Sequence, residues 1–435
     1  MNSRKLFLTI LAGVIGLSLV FSACKPTGAE SSPESGSRFE VLRAEAASGN
    51  DAEPLPAQSG SYSFGSVSQM RKSVPQENKA SVLLKGYYRA NDGGGGMFYW
   101  DAESVLEPDG GLVIQPQGSE KGRYIRLCDE NYRNVKWFGA SSDGNKDDTA
   151  AIQAAIDSLP PAGGTVCFPG GEYLITDTIQ IGNGDGGATG SNRHGVRLVG
   201  CGGGFGVHSG KEPTVVRAER KMDTMISING KITGVELEGI CFLAGTMAKT
   251  CISAKAVDQL VVDRVVCKTF LECGIRLIGG KGEGNGNNGC RFETVQAVST
   301  QDNAVCLDID GDADSAATEN CVFIDCRFDI HTTKGSKACR IENATGLSFY
   351  RCHITGYSGT AADYLVLDAS EDGKPAGNAF YDCSIASVKV IEENGHSIGD
   401  HFFIGHGTYD TEEVPEHPKL HGITDSGLTF GFGGE

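Results

Sequence analysis

Two acidic side chains, Glu272 and Asp302, stand at matching places in two neighbouring repeats of the sequence. Each precedes a short apolar segment by three residues, Ile275 in one repeat and Val305 in the next. If the repeats stack as adjacent strands about 4.8 Å apart, one carboxyl group could hold a proton beside the charge of the other. Two carboxyl groups about 5 Å apart are the arrangement of a retaining glycosidase. The spacing therefore predicts an acid and a base or nucleophile at this pair.

Further charged residues lie on the strands that follow. Arg276, which we group with the catalytic pair, and Arg340 point outward by alternation and could bind sugar carboxylates. Lys337 is a second substrate-binding candidate and Asp363 a further catalytic one. A ladder of solvated, hydrogen-bonded turns would explain the same acidic residues without catalysis, so both interpretations stay open.

One acidic loop offers oxygen ligands for a metal ion. Asp308, Asp310, Asp312 and Glu319 stand at positions 1, 3, 5 and 12, the offsets of ligands in an EF-hand loop for Ca²⁺. Ala313 replaces the Gly that such a loop requires, and no flanking helices are predicted. An ordinary Asp-rich loop is the competing interpretation. No cofactor is required by the predicted chemistry, and Ca²⁺ is the one ion for which the sequence offers ligands.

The elements that position these residues form a repeat. Six segments start 25 to 31 residues apart and carry apolar or small residues at their first, fourth and sixth positions: Leu237–Phe242, Val262–Cys267, Phe292–Ala297, Phe323–Phe328, Phe349–Ile354 and Phe380–Ile385. A second short strand follows in each interval: Cys251–Ser253, Ile275–Leu277, Val305–Leu307, Cys339–Ile341 and Leu365–Leu367. Gly, Asn and Asp interrupt every interval, so the pattern predicts one solenoid coil per repeat instead of helices.

Alternation within these strands predicts the interior of the solenoid. One inward stack contains Phe292, Phe323, Phe349 and Phe380, and a second contains Cys326, Cys352 and Cys383. Most Cys residues lie in apolar runs without zinc spacing, so we expect buried thiols, although some disulfides stay open. The loops after the second strands vary most in length, and the face beside them is the predicted substrate face.

A helix is expected ahead of the first coil. Asp147 or Asp148 is a good N-cap, and apolar residues at helical spacing follow over 148–159 until Pro160 ends the helix. An amphipathic helix at this place would cover the open end of a solenoid.

At this point the sequence resembles a family. Gly144–Ile156 followed by Gly163–Gly170 is similar to the opening of pectate-lyase-like right-handed parallel β-helix proteins, which include rhamnogalacturonase-like enzymes and phage tailspikes. Gly86–Trp100 and Val135–Gly139 resemble the small β region that precedes this opening in some members. The resemblance covers about residues 80–410 and carries architecture more than activity.

The resemblance implies an all-β fold. We expect a small N-terminal β region over 62–138, then a single-stranded right-handed parallel β-helix over 139–410 with the N-terminal capping helix, then a C-terminal tail over 411–435. The family's polygalacturonase branch also carries paired Asp residues, a Gly-His-Gly motif and an Arg-x-Lys motif. Only Gly405-His-Gly407 matches that set here, so its mechanism is not carried over.

The N-terminal residues predict export. Arg4 and Lys5 precede an apolar run, and Phe21-Ser-Ala-Cys24 resembles a lipobox in which Cys24 receives lipid. Residues 1–24 are thus expected to be a lipoprotein-type signal peptide and 25–61 a disordered tether. The expected location is that of a membrane-anchored bacterial lipoprotein, periplasmic or on the cell surface; plain signal cleavage is the alternative.

Composition and shape narrow the partners. The formal net charge of −17 argues against nucleic acid and against membrane contact other than through the anchor. A long solenoid face suits a polysaccharide, so we expect an exported surface protein that binds and cleaves one as a glycoside hydrolase or polysaccharide lyase. The alternatives are a non-catalytic glycan-binding or structural tailspike-like protein and, third, an isomerase of uronic sugars. The shape also admits a homotrimer.

Overall fold

The computed structural model describes residues 61–182, 193–202, 213–279, 286–310, 318–331, 334–356, 362–369, 375–405, 417–423 and 429–431. Strands dominate these residues, and most pair in parallel with the strand one coil earlier and one coil later. The predicted signal peptide with Cys24, the tether, Asp312 and His406 lie outside the described residues. No helix within these ranges is long and apolar enough to cross a membrane.

The N-terminal β region is one five-stranded sheet. Its strands are Ser61–Phe64, Ser81–Leu84, Gly96–Asp101, Val113–Ile114 and Arg123–Arg126, and a short helix spans Val67–Arg71. The first two strands pair in parallel and the other pairs are antiparallel. Val82 and Leu84 alternate with exposed neighbours and pack with Phe98, Trp100 and Tyr124 in a core of their own.

The solenoid has three long sheets, which we number in the order in which each coil visits them. Sheet I contains Tyr132–Asn134, Gly164–Phe168, Val196–Gly200, Glu236–Glu238, Val261–Asp263, Arg291–Glu293, Val322–Ile324, Ser348–Tyr350, Asn378–Tyr381, His401–Ile404 and Leu420–Ile423, with Thr429–Gly431 added antiparallel. Sheet II contains Asp143–Asp147, Gly171–Ile175, Thr214–Ala218, Cys241–Leu243, Val266–Lys268, Gln296–Ser299, Arg327–Ile330, His353–Gly356 and Ser384–Ile385.

Sheet III carries the face that the sequence predicts for substrate. It contains Ile179–Ile181, Met222–Thr233, Ala248–Asp258, Cys273–Ile278, Val305–Asp310, Lys337–Ile341, Asp363–Ala369 and Val388–Glu392. A short pair, Thr318–Glu319 with Ala344–Thr345, lies beyond it in two coils. The parallel β-helix expected from the repeats is confirmed by this sheet topology.

Each six-residue segment of the repeat is two strands instead of one. Its third residue has a positive φ, 52° at Asp325 and 50° at Arg351, and the chain bends there from sheet I into sheet II. Non-Gly residues rarely adopt this conformation, so sequence alternation alone did not reveal the corner. Arg351 donates to both oxygens of Asp325 at 2.8 and 2.7 Å, which ties successive corners together.

The predicted inward stacks are confirmed. The rings of Phe292, Phe323, Phe349 and Phe380 stack with centroids 4.7, 4.4 and 4.8 Å apart, and Phe403 extends the stack. Cys326, Cys352 and Cys383 are fully buried, and each thiol lies 3.4–3.5 Å from the carbonyl oxygen of a Phe in the preceding coil. The fourteen described Cys residues are free thiols, and eleven of them are buried.

The expected helix spans Thr149–Asp157, and its buried face belongs to the same core as the first coils. Asp148 is the N-cap by position, but its carboxylate turns away from the helix and accepts from the backbone N–H of Ser141 and Ser142. Burial raises the pKa of Asp148. Asp147 instead accepts from the N–H of Thr149 at 3.0 Å, at the start of the helix.

A buried histidine near the C-terminal end of the described coils predicts acid sensitivity. His401 is fully buried, its Nε2 lies 3.1 Å from the carbonyl oxygen of Pro375, and its Nδ1 has no partner. Burial lowers the pKa of His401 to about 4. Because the unfolded chain takes up this proton near pH 6.5, the contribution of His401 to stability is complete above that pH and is lost between pH 6.5 and 4, by about 3 kcal/mol.

Urea unfolding at pH 7.5, 5.5 and 4.5 would measure this loss. In His401→Gln, the amide can still donate to Pro375 but does not titrate, so the fall in the urea midpoint over this range should shrink. An equally steep fall in the variant would assign the acid sensitivity to other groups.

Candidate functional site

The pairing within sheet III corrects the alignment on which the predicted catalytic pair depends. Ile275 pairs with Leu307, and Val305 pairs with Cys273. The sequence comparison sets Val305 opposite Ile275, which differs by two residues from the pairing in the structure. Glu272 and Asp302 are therefore not at matching positions. A shift of two residues keeps every side chain on its own face, so alternation could not detect the error.

The structure places the two predicted catalytic residues two positions out of register with each other. The carbonyl of Glu272 accepts from the N–H of Val305, which puts Ala304 beside Glu272 in the next coil. The exposed carboxylate of Glu272 lies 3.8 Å from the ammonium of Lys249 in the preceding coil. Asp302 is exposed and lies in the turn that precedes strand Val305–Asp310.

The other side of the corrected alignment brings together three charged residues. Arg276, Asp308 and Arg340 are consecutive outward neighbours in sheet III. Nε of Arg340 lies 2.7 Å from Oδ1 of Asp308, and Nε of Arg276 lies 3.1 Å from Oδ2. The side chain of Asp308 is 3% exposed, whereas those of Arg276 and Arg340 are 33% and 21% exposed. The two predicted arginines thus form the surface above a buried carboxylate.

Two further carboxylates adjoin Arg340. Its Nη1 lies 3.3 Å from Oε2 of Glu342 and 3.9 Å from Oδ2 of Asp368. Glu342 and Asp368 are outward neighbours in consecutive coils, and their side chains are 4% and 9% exposed. One guanidinium nitrogen thus lies within 4 Å of a carboxylate oxygen of each residue.

We call Arg276, Asp308, Arg340, Glu342 and Asp368 the sheet III cluster. Its formal charges are two positive and three negative, and its three carboxylates are buried. Carboxyl groups placed beside cations are among the groups that general acid–base catalysis uses. The cluster thus has the composition of an acid–base site with cations at its surface.

The remaining predicted site residues lie beside the cluster. Asp363 pairs with Lys389 at 2.7 Å on the outer surface, and Lys337 is its strand neighbour. Both belong to a row three residues before Arg340 along the strands, so they flank the cluster without entering it.

Asp308, the first predicted calcium ligand, is bound by arginines in the structure. Both oxygens of Asp308 are hydrogen-bonded to Arg276 and Arg340, which are poor neighbours for a bound cation. Glu319 is exposed on the short strand Thr318–Glu319, and only the backbone of Asp310 is described. Within the described ranges, no three His, Cys, Asp or Glu side chains are grouped as metal ligands.

Sequence reasoning missed Glu342 and Asp368, although a signal exists. Leu307–Asp310, Cys339–Glu342 and Leu365–Asp368 each place an acidic residue after an apolar, variable, apolar triplet. With the register of the structure Glu342 and Asp368 are neighbours in one outward row, and the backbone pairing places Asp310 one coil before them. The row is not visible in the sequence when strand Val305–Asp310 is aligned two residues out of register.

Two sequence families match parts of the chain. Residues 132–326 match the family described as rhamnogalacturonase A/epimerase, pectate lyase-like. Residues 63–129 match the phage tail protein small four-stranded β-sheet domain. The second match coincides with the N-terminal sheet, and the first with the helix and the coils up to the strand Val322–Ile324.

Curated relatives match only short stretches. The Mu-like prophage FluMu defective tail fiber protein of Haemophilus influenzae is 30% identical over 140 residues, 32% of this chain and 22% of that protein. The mannuronan C5-epimerase AlgE3 of Azotobacter vinelandii is 64% identical over 44 residues, 10% of this chain and 2% of that protein. The chain therefore spans less than a quarter of either relative.

Solved structures match most of the chain at low identity. The tailspike protein gp49 of Acinetobacter baumannii bacteriophage Fri1, a capsular polysaccharide depolymerase, is 15% identical with a TM-score of 0.59 over 82% of this chain and 68% of that chain. Pantoea stewartii WceF, a glycan biofilm modifying enzyme with a tailspike-like fold, is 13% identical with a TM-score of 0.57 over 86% and 52%. These likenesses concern the fold. The described residues thus form a parallel β-helix, and residues 132–326 within it match the pectate lyase-like family.

Proposed function

We propose that this protein binds and cleaves a polysaccharide at the sheet III cluster. The observation that carries the proposal is the pair Glu342 and Asp368, two buried carboxylates held beside one guanidinium under a partly exposed arginine surface. The glycan-processing activities named for the gp49 tailspike and for WceF support the same substrate class.

In a hydrolytic reaction Asp368 and Glu342 would have different roles. Asp368, farther from Arg340, would protonate the oxygen of the glycosidic bond as it breaks. Glu342, closer to the guanidinium, would remain the anion and act as nucleophile or as base toward water. The arginines would hold acidic groups of the sugar through charge-assisted hydrogen bonds. Lys337 and Asp363 would extend the contact along the face.

β-Elimination is the second candidate reaction, because the same cluster contains two arginines. A guanidinium beside a uronate carboxylate would stabilise the negative charge that develops when the neighbouring proton is removed. A carboxylate of the pair would take that proton, the glycosidic oxygen would leave with the bonding electrons, and a double bond would form in the sugar ring.

A polysaccharide panel tests both reactions. The purified protein without residues 1–24 would be incubated with neutral glucans, alginate, polygalacturonate and bacterial capsular polysaccharides. New reducing ends without absorbance at 235 nm indicate hydrolysis, and new absorbance at 235 nm indicates elimination. Binding without either product would instead support the non-catalytic glycan-binding alternative.

The lipobox-like sequence ending at Cys24 extends the proposal to an exported, lipid-anchored protein.

A further inference from the structure

A cavity of about 400 Å³ lies between the N-terminal sheet and the segment that leads into the helix Thr149–Asp157. Three separate pieces of chain line it: the loop 87–92, Lys136 of the 3₁₀ helix Val135–Phe138, and the segment 140–146. The volume is within the range of small-molecule sites and would hold one or two sugar rings. None of its lining residues belongs to the sheet III cluster.

Hydrogen bonds and close packing hold the loop that forms one wall of the cavity. The carboxylate of Asp92 accepts from the backbone N–H groups of Tyr87, Tyr88, Arg89 and Gly94 at 2.7–3.1 Å, which closes the loop around it. A Cβ on Gly94 would lie 2.6 Å from the carbonyl oxygen of Lys136, so only Gly lets these two segments approach. A loop held in this way presents its side chains in a preformed arrangement.

Cations predominate among the side chains that can reach a ligand. Nζ of Lys146 lies 4.1 Å from the ring centroid of Tyr88 and contacts its hydroxyl, and Lys136 lies at the base of the loop. Arg89 is exposed, and within the described residues it has neither an ion pair nor a side-chain hydrogen bond.

The two acidic residues of the cavity are already engaged. Asp92 is held by the four N–H groups of its loop, and Asp143 accepts from the N–H groups of Asn145 and Lys146 and from the hydroxyl of Ser141. Three cations against two carboxylates that already accept hydrogen bonds from their own loops make this a locally basic place in a chain of net charge −17.

We propose that this cavity binds a carboxylate-bearing sugar unit of an acidic polysaccharide. Arg89, Lys136 and Lys146 would pair with the carboxylate, and the two tyrosines would contact the ring and its hydroxyl groups. The cavity would hold the polymer at the N-terminal end of the solenoid. This binding does not depend on cleavage at the sheet III cluster.

Calorimetric titration with trigalacturonic acid, maltotriose and inorganic phosphate tests the proposal. The protein without residues 1–24 and carrying Glu342→Gln would serve as the background. Cleavage at the sheet III cluster and binding in the cavity are then tested separately. We expect trigalacturonic acid to bind more tightly than maltotriose or phosphate. Arg89→Ala and Lys146→Ala should each weaken that binding at least tenfold. Lys121→Ala, a change of an exposed lysine of the same region that pairs with Glu103, should leave it unchanged.

Each other outcome would overturn the inference. No binding of trigalacturonic acid, or binding that Arg89→Ala and Lys146→Ala leave intact, would remove the cavity as its site. Equal binding of phosphate would show a general anion site without recognition of a sugar, and equal binding of maltotriose would show that the cations take no part.

Discussion

Replacing Glu342 by Gln is expected to lower the rate of polysaccharide cleavage at least 100-fold. Glu342 is the carboxylate closer to Arg340, and an amide of the same shape can neither act as a nucleophile nor take a proton. Asp368→Asn should have an effect of similar size, because the two groups act in one reaction. The measurement is the initial rate on whichever polysaccharide the panel identifies, with circular dichroism to confirm the fold of each variant.

A matched change elsewhere separates chemistry from stability. Glu293→Gln alters a partly exposed glutamate on the outer face of sheet I, where it pairs with Arg291, and should keep the wild-type rate. Glu272→Gln and Asp302→Asn decide between the two candidate sites. Lost activity in these variants with normal activity in Glu342→Gln would return the reaction to the pair predicted from the sequence.

Replacing Phe349 by Ala should lower the free energy of unfolding by about 3–5 kcal/mol. The ring is fully buried and stacks on Phe323 at 4.4 Å and on Phe380 at 4.8 Å, so its removal leaves a cavity between two coils that cannot collapse easily. Urea unfolding followed by circular dichroism would show a lower midpoint.

The neighbouring residue provides the control for this change. Tyr350 is adjacent in sequence, stacks on Tyr381 and points outward from the same strand. Tyr350→Ala should therefore cost clearly less than Phe349→Ala. Equal losses, or a larger loss at Tyr350, would contradict the inward assignment of the Phe stack.

Much of the fold could be predicted from local patterns. The repeat of 25 to 31 residues and its apolar first, fourth and sixth positions predict stacked coils, and the shared places of the Phe and Cys residues in the repeat predict the two inward columns. The site could be predicted only in part. Arg276 and Arg340 were correctly placed on the outer face of sheet III, but their partner Asp308 was assigned to a metal loop.

By itself the sequence determined which side chains face the core, because burial of a hydrophobic column requires only the correct alternation within each strand. It also determined that a helix precedes the coils and that the chain is acidic. Only the tertiary structure decided the pairing between strands, because registers that differ by two residues bury the same face equally well. That pairing places Ala304, and not Asp302, opposite Glu272, and it brings Asp308, Glu342 and Asp368 around Arg340, since contacts between outward charges depend on which coil residues are adjacent.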